Sequence, residues 1–438
     1  MLKQNIKELL KLSIPILLGN VGHMLINIGD VYVAGKYNTE ALAAISVASA
    51  IFMVVIIAGL GILSAITPVL SNYRGEKKSS KKYYGITVIF TQILGLVFFL
   101  ITILFVPLIK ISGINPLIID DVIIYTVISA FSVFGIFLYA GLKEFLQSVE
   151  KVIFPNILMG FGVILNLSLN YLFVFGYGEL RGFGTTGLAI SSLIVRFMLG
   201  IILLISTAKF FKRSIYKNTK NYLKEIIKTG LPIGGALFTE FLGFNLVAVI
   251  IGRFETYYTA AHEIILMYAS LSYMLPFSMA QSLSIKVGYA NGAKNLKMMK
   301  NYSLASFYFI LGYSIFIVML YTYLKYPLIS FFSKDTDVIN AAIKVMPVIC
   351  SYMVFDCLQG LFTGALKGIK KTKEVFIIMN ISHLFISIPI GIFLGIILNQ
   401  KLSGFWIGLA FGILSAAVLS ITVFVKNILR FQKTGFSN

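Results

Sequence analysis

Twelve runs of apolar residues, each of membrane-crossing length, leave this chain few folds to choose from. They fall at 13–34, 45–70, 84–109, 120–147, 154–175, 184–208, 230–252, 258–285, 302–325, 337–363, 375–398 and 403–427. A helix rises about 1.5 Å per residue, so about 20 residues cover the roughly 30 Å of hydrocarbon in a bilayer. With 58% hydrophobic and 12% charged residues, the 438-residue chain has too little polar surface for a soluble fold. The expected fold class is an all-α membrane protein of twelve transmembrane helices.

The net charge of +20 does not point to nucleic acid. The cations form short clusters between apolar runs, with no basic face and no aromatic stacking motif, as expected of loops beside anionic lipid. Placing both termini in the cytoplasm puts 28 of the 37 Lys and Arg on that side and 7 on the other, with Arg196 and Lys344 inside helices. The expectation is a multi-pass protein of the cell (inner) membrane with both termini cytoplasmic, acting as a monomer. Leu2 to Lys11 is amphipathic and lacks a small-residue cleavage site, so it reads as mature protein. Cys350 and Cys357 lie seven residues apart on one helix, about 10 Å between Cα atoms, and cannot bridge each other.

The polar stretch from Lys209 to Lys228 carries seven basic residues and divides the helices into six and six. It sets the expected domains: an N-terminal six-helix lobe over 1–208, a cytoplasmic basic linker over 209–229, and a C-terminal lobe over 230–438. Sliding one half over the other reveals a repeat. At an offset of 217, Pro15 meets Pro232, Gly35 meets Gly252, Ala43-Ala44 meets Ala260-Ala261, and Gly75 and Lys77 meet Gly292 and Lys294. At 220, Pro107-Leu108-Ile109 meets Pro327-Leu328-Ile329 and Lys151 meets Lys371. Six is even, so both lobes enter with the same polarity and are related by a pseudo-twofold along the membrane normal, the plan of an alternating-access transporter.

The run 230–252 carries Glu240 near the bilayer midplane, where a carboxylate costs about 2.5 to 3.5 kcal/mol on insertion scales and points to function. In the first run Asn20, His23, Asn27 and Asp30 fall within an arc of about 80°. His23 reads first as a packing histidine and second as a proton carrier. Asn166 and Asn170 share one face of the fifth helix, and Tyr352 and Asp356 repeat that spacing in the tenth, with Gln359 continuing the side. At the 217 offset His23 meets Glu240 and Asp30 meets Val247, while Asp356 meets Ile136 at 220, so the lobes keep different ionisable groups.

Enzymatic motifs are weak or absent. His262-Glu263 is followed by Leu266 where a zinc helix needs its second His, and there is neither a Walker loop nor a nucleophile elbow. The expectation is a non-enzyme without cofactor, driven by an ion gradient.

These residues resemble the MATE (multidrug and toxic compound extrusion) transporters over nearly the whole chain. The likeness is carried by Asp30-Val31-Tyr32-Val33-Ala34-Gly35 with Ala41-Leu42-Ala43-Ala44, by Leu165-Asn166-Leu167-Ser168-Leu169-Asn170-Tyr171, by Gly230-Leu231-Pro232-Ile233 leading to Glu240, by Ala260-Ala261-His262, and by Asp356 with Gly364 and Gly368. The carboxylate in the seventh helix looks like the NorM branch. The resemblance implies a secondary antiporter exporting bulky, mostly cationic organic compounds and drugs in exchange for Na+ or H+. It implies a cation-coupling site at Glu240, Asp356 and Tyr352, with Glu240 and Asp356 as Na+ ligands, and a substrate or proton site at Asp30, Asn166 and Asn170, with Asn27 and His23 on the same stripe. Na+ is favoured over H+. The alternative within the superfamily is a flippase for a lipid-linked saccharide or other large amphiphile, whose cavity would carry cationic side chains. A channel is disfavoured by the repeat, and an aspartyl protease by Asp30 and Asp356 lying in opposite lobes. Lys344 has no account at this level.

Overall fold

The computed structural model describes residues 1–178, 180–213, 219–434 and 436. Among them are twelve spans: Leu2–Tyr37, Thr39–Gly75, Ser80–Lys110, Pro116–Ser148, Ile153–Phe175, Thr185–Phe211, Thr219–Ile251, Thr256–Gly292, Leu296–Phe332, Thr336–Gly368, Thr372–Ile397 and Lys401–Lys433. Each matches one of the expected apolar runs, and the runs 184–208, 230–252 and 375–398 overrun their spans by one residue. The second span is two helices, Thr39–Leu63 and Ile66–Gly75, joined at Ser64, whose Oγ donates to the Gly61 carbonyl at 2.8 Å. The eleventh has π-helical turns at Ile381–Ser387 and Phe393–Ile397 on either side of Pro389, a break that freed backbone groups and a missing N–H tolerate together. A two-residue hairpin, Gly176–Tyr177 against Leu180–Arg181, links the fifth and sixth spans.

The seventh span starts at Thr219, inside the expected linker, because Tyr222 and Ile226 are four apart and buried. The Tyr222 hydroxyl lies 2.7 Å from the Thr87 hydroxyl. Residues 214–218 of that linker lie outside the described residues.

The helices form two compact units. The N-terminal unit comprises Pro15–Leu70 and Lys78–Gly234; the C-terminal unit comprises Met1–Ile14, Ser71–Lys77 and Gly235–Asn438. The start of the first span and the end of the second therefore group with the C-terminal unit, and the start of the seventh with the N-terminal unit. Leu9 is fully buried in a core with Met279, Leu283 and Leu366, and Glu8 accepts a hydrogen bond from the Tyr302 hydroxyl with Lys286 Nζ at 3.8 Å. In the N-terminal unit, Gly230 and Gly234 bring the seventh helix onto the second: a Cβ at either would fall 2.6 Å from the Ile62 carbonyl or 2.5 Å from that of Ala58. This Gly-x-x-x-Gly spacing serves close backbone approach where apolar lipid offers helices no hydrophobic drive to associate.

The repeat is visible in the backbone. Lys77 and Lys294, 217 apart, both have positive φ (60° and 54°), and so do Glu150 and Lys370, 220 apart (60° and 59°). Such angles are uncommon outside glycine, so the two loop pairs turn the chain in the same unusual way. Within the C-terminal unit the ends of the second and eighth spans cross reciprocally: a Cβ on Gly75 would meet the Tyr289 carbonyl oxygen at 2.1 Å, and one on Gly292 would meet that of Asn72 at 2.0 Å. Asn72 and Tyr289 are themselves 217 apart. Asn72 Nδ2 donates to the Gly368 carbonyl at 2.8 Å, and Asn291 Nδ2 to Asn72 Oδ1 at 2.6 Å.

At the opposite end of that unit, Lys401 Nζ donates to Glu255 at 2.7 Å, which holds the exposed Glu255 carboxyl below its usual range. Lys344 is exposed two turns into the tenth span, where its stem can carry the ammonium towards the interface.

Gly292→Ala should destabilise the protein by about 1–3 kcal/mol, the usual cost of overpacking. Gly312→Ala, where nothing lies within 4 Å of the new methyl, should be neutral or stabilising by up to about 1 kcal/mol. Thermal unfolding of both variants in detergent checks the contrast.

Candidate ion and substrate sites

In the N-terminal unit the first, fifth and sixth helices close around Asp30, which is 2% exposed. Its Oδ1 accepts from Asn170 Nδ2 at 2.7 Å and its Oδ2 from Ser192 Oγ at 2.8 Å. Asn166 extends the network, donating to Ser192 Oγ at 3.2 Å and accepting from Asn170 Nδ2 at 3.2 Å. Ser191 donates to Asn170 Oδ1. Asp30, Asn166 and Asn170 thus come together as one buried network. Each Asp30 oxygen has a donor, which offsets the cost of holding the carboxylate away from water.

The rest of the expected stripe stands apart. Asn27 is half-buried and has no hydrogen-bond partner among the described residues. His23 is half-buried with Nδ1 shielded from solvent and unpartnered. Lys143 and Arg196 lie within electrostatic reach of its ring.

Sequence reasoning missed Ser191 and Ser192, whose only signal was two small hydroxyls one turn before Arg196. The charge count of 28 also took Lys143 as cytoplasmic, although the fourth apolar run, 120–147, contains it. That helix runs to Ser148, so Lys143 sits inside it and donates to Asn20 Oδ1 at 3.2 Å. Arg196 Nη1 donates to Ser132 Oγ at 2.8 Å. The ionisable groups within the helices are therefore less uniformly acidic than the sequence suggested.

In the C-terminal unit Glu240 is half-buried on the seventh helix, while Asp356 (5% exposed) and Tyr352 (3%) are buried on the tenth. Glu240 lies within electrostatic reach of Asp356, and the Tyr352 and Tyr273 phenols lie within reach of both. Among the described residues neither carboxylate has a hydrogen-bond partner, and no cluster of three or more His, Cys, Asp or Glu is close enough to hold a metal. The Tyr352 ring meets Trp406 edge-on at 5.6 Å, and His262 meets the same indole at 5.6 Å. Gln359 turns to Thr363 at 3.2 Å. Tyr273 was not foreseen. It reaches the site because Gly360, one turn past Asp356, has no side chain; a Cβ there would lie 2.4 Å from the Tyr273 hydroxyl. Cys350 and Cys357 are both free.

A family model described as MatE matches residues 15–172 and again 232–393. The chain belongs to the MatE family. The two matches begin at Pro15 and Pro232, the pair that opens the internal repeat. Over 431 residues the chain is 27% identical to the probable multidrug resistance protein NorM of Bacillus subtilis, covering 95% of this chain and 94% of that protein. It is 30% identical to the probable NorM of Idiomarina loihiensis over 95% and 93% of the two chains. The fold matches the Vibrio cholerae MATE transporter VcmN in its bent form with a TM-score of 0.87 at 19% identity, covering 98% of both chains. Membership makes this MatE chain a multi-pass membrane transporter of the multidrug and toxic compound extrusion type, of the NorM-like branch, as the resemblance implied.

Ser192→Ala would leave Asp30 Oδ2 without its donor in a buried network. The expected loss is about 1–3 kcal/mol of stability, read as a lowered Tm in detergent. Ser168→Ala, on the exposed side of the fifth helix, should leave the Tm unchanged.

Proposed function

We propose that Glu240 and Asp356 hold the coupling ion of a secondary antiporter that exports bulky, mostly cationic organic compounds by alternating access. One observation carries the reading: two carboxylates within electrostatic reach of each other in apolar helices, with no donor among the described residues engaging either. Two such groups repel when both are charged, and a bound cation or a shared proton relieves the repulsion. Asp30, by contrast, has its hydrogen bonds made within the protein. It forms with Asn166 and Asn170 a second site, for substrate or a proton, in the N-terminal unit, with Asn27 and His23 beside it.

Na+ is the first reading for the ion. The carboxylates and the Tyr352 and Tyr273 phenols are hard oxygen donors of the kind such a cation prefers; a proton needs only one carboxylate. Ion entry neutralises the pair and weakens its hold on a cationic substrate, and ion release restores the charge that recruits the next one, so differential affinity between the two occupancies drives exchange. The multidrug resistance relatives favour efflux over the flippase alternative.

Glu240→Gln and Asp356→Asn should each reduce uphill dye export to background while the protein still inserts. Proteoliposomes given a Na+ gradient at matched pH should export an organic cation. Export only under a pH gradient in Na+-free buffer would make H+ the ion, and uphill export by both neutral variants would remove the pair from the coupling role.

The same proposal places both termini and the segment between the sixth and seventh spans in the cytoplasm of a cell (inner) membrane protein. The basic asymmetry survives leaving Lys143 out of the cytoplasmic count. In a Cys350→Ser, Cys357→Ser background, Ser214→Cys should resist an impermeant maleimide in intact cells and react after permeabilisation. Labelling in intact cells would reverse the orientation.

A further inference from the structure

Successive spans alternate in direction, so the start of the third, the start of the fifth and the end of the sixth lie on one side of the membrane. Lys81, Lys151 and Phe210 stand at these three ends, all within the N-terminal unit. The Phe210 ring is buried and fixed there, with the Tyr84 ring at 5.7 Å and the Phe145 ring at 5.9 Å, and the Tyr84 hydroxyl lies 2.6 Å from that of Thr207. Two ammoniums share this ring: Lys81 Nζ is 5.7 Å from its centroid and Lys151 Nζ 5.8 Å, both within cation–π range. Neither lysine is ion-paired among the described residues. Of the neighbouring carboxylates, Glu144 Oε2 accepts from Thr67 at 2.5 Å, and Glu150 forms no ion pair with either lysine.

The internal repeat supplies a comparison. Lys151 and Lys371, 220 apart, leave the same kind of turn: each follows a positive-φ residue and donates its backbone N–H, at 2.9 Å, to a carbonyl five residues back, that of Leu146 or Leu366. Lys371 Nζ also donates to Glu374 at 3.0 Å. The position matching Glu374 in the first copy is Phe154, which is exposed together with Ile153 and Ile157. The first copy therefore keeps the lysine, has an outward apolar side chain in place of its carboxylate, and sets a second lysine on the same fixed ring. A bias towards basic loops places lysines on one side of a membrane but does not hold them in position. Two positioned ammoniums, with three donors each, beside an outward apolar stripe match a phosphate that continues into acyl chains.

We propose that Lys81 and Lys151, seated on Phe210, form a headgroup site for an anionic phospholipid, with its phosphate held by the two ammoniums and its acyl chains along Phe154 and Ile157 of the fifth helix. The site shares no residue with the carboxylate pair, so it stands or falls independently of the coupling reading.

The test titrates the purified full-length protein in detergent with phosphatidylglycerol or with phosphatidylcholine of the same acyl chains, and reads bound lipid by native mass spectrometry. The wild type should hold phosphatidylglycerol about tenfold more tightly than phosphatidylcholine. Lys81→Gln combined with Lys151→Gln should weaken phosphatidylglycerol about tenfold or more, the scale of two lysines lost from an anionic surface. Lys297→Gln combined with Lys300→Gln removes the same charge at the start of the ninth span, on the same side of the membrane, and should change binding less than about twofold. Equal loss in the two double variants would mean a diffuse effect of charge and overturn the site, as would equal binding of the two lipids by the wild type. Phe154→Glu gives Lys151 the partner that Lys371 has and should weaken phosphatidylglycerol as Lys151→Gln does; unchanged binding in both would remove Lys151 and overturn the proposal. Lys81→Arg combined with Lys151→Arg should keep the lipid bound, whereas a loss as large as that of the Gln pair would assign the lysines to packing. Sodium phosphate should displace no more lipid than chloride at matched ionic strength. Displacement by phosphate alone would make this a site for the free anion and overturn the lipid assignment.

Discussion

A polar group without a partner in hydrocarbon costs several kcal/mol, and that cost organises every part of this protein. It confines the backbone to helices that satisfy themselves, and it makes the Gly230–Gly234 and Gly75–Gly292 contacts the means by which helices meet. It also turns each ionisable side chain in a span into a statement about chemistry. Asp30 meets the constraint with amide and hydroxyl donors from two other helices. Glu240 and Asp356 leave it unmet, with no donor among the described residues. The first network has its hydrogen bonds made within the protein; the second leaves its carboxylates unengaged among the described residues.

The internal repeat supplies the frame on which this difference is built. Matching positive-φ residues at Lys77 and Lys294 and at Glu150 and Lys370, and family matches that begin at Pro15 and Pro232, describe one architecture used twice. The polar content of the two copies has diverged. Val247 stands where the first copy has Asp30, and Ile136 where the second has Asp356. One backbone plan thus carries two different sets of polar side chains, changed at a few positions.

The lobes drawn from sequence and the compact units differ in an instructive way. The polar stretch near Lys209 to Lys228 marks the middle of the chain, yet Met1–Ile14 and Ser71–Lys77 group with the C-terminal unit, and 219–234 with the other. Leu9 and Ile226, both fully buried and 217 apart, anchor the exchanged ends of the first and seventh helices. A hydropathy pattern locates the ends of a helix along the chain but carries no record of which neighbours a given turn of it packs against.

That distinction separates what the sequence determined from what tertiary structure decided. The number and approximate ends of the spans, and the repeat and its polarity, followed from the chain itself, whereas the grouping of Asp30 with Asn166 and Asn170 came only as what the family resemblance implied. Hydrophobic length, helical periodicity and register are local properties, written in consecutive residues and preserved when the chain folds. Ser191 and Ser192 as donors in the Asp30 network, Tyr273 seated over Gly360, and Lys143 turned onto Asn20 were decided only by packing. Each is a contact between residues far apart in sequence, with no periodic signature in either partner. In an apolar span a serine, a tyrosine or a lysine is ambiguous until the facing helix shows whether it packs, donates or waits for a ligand.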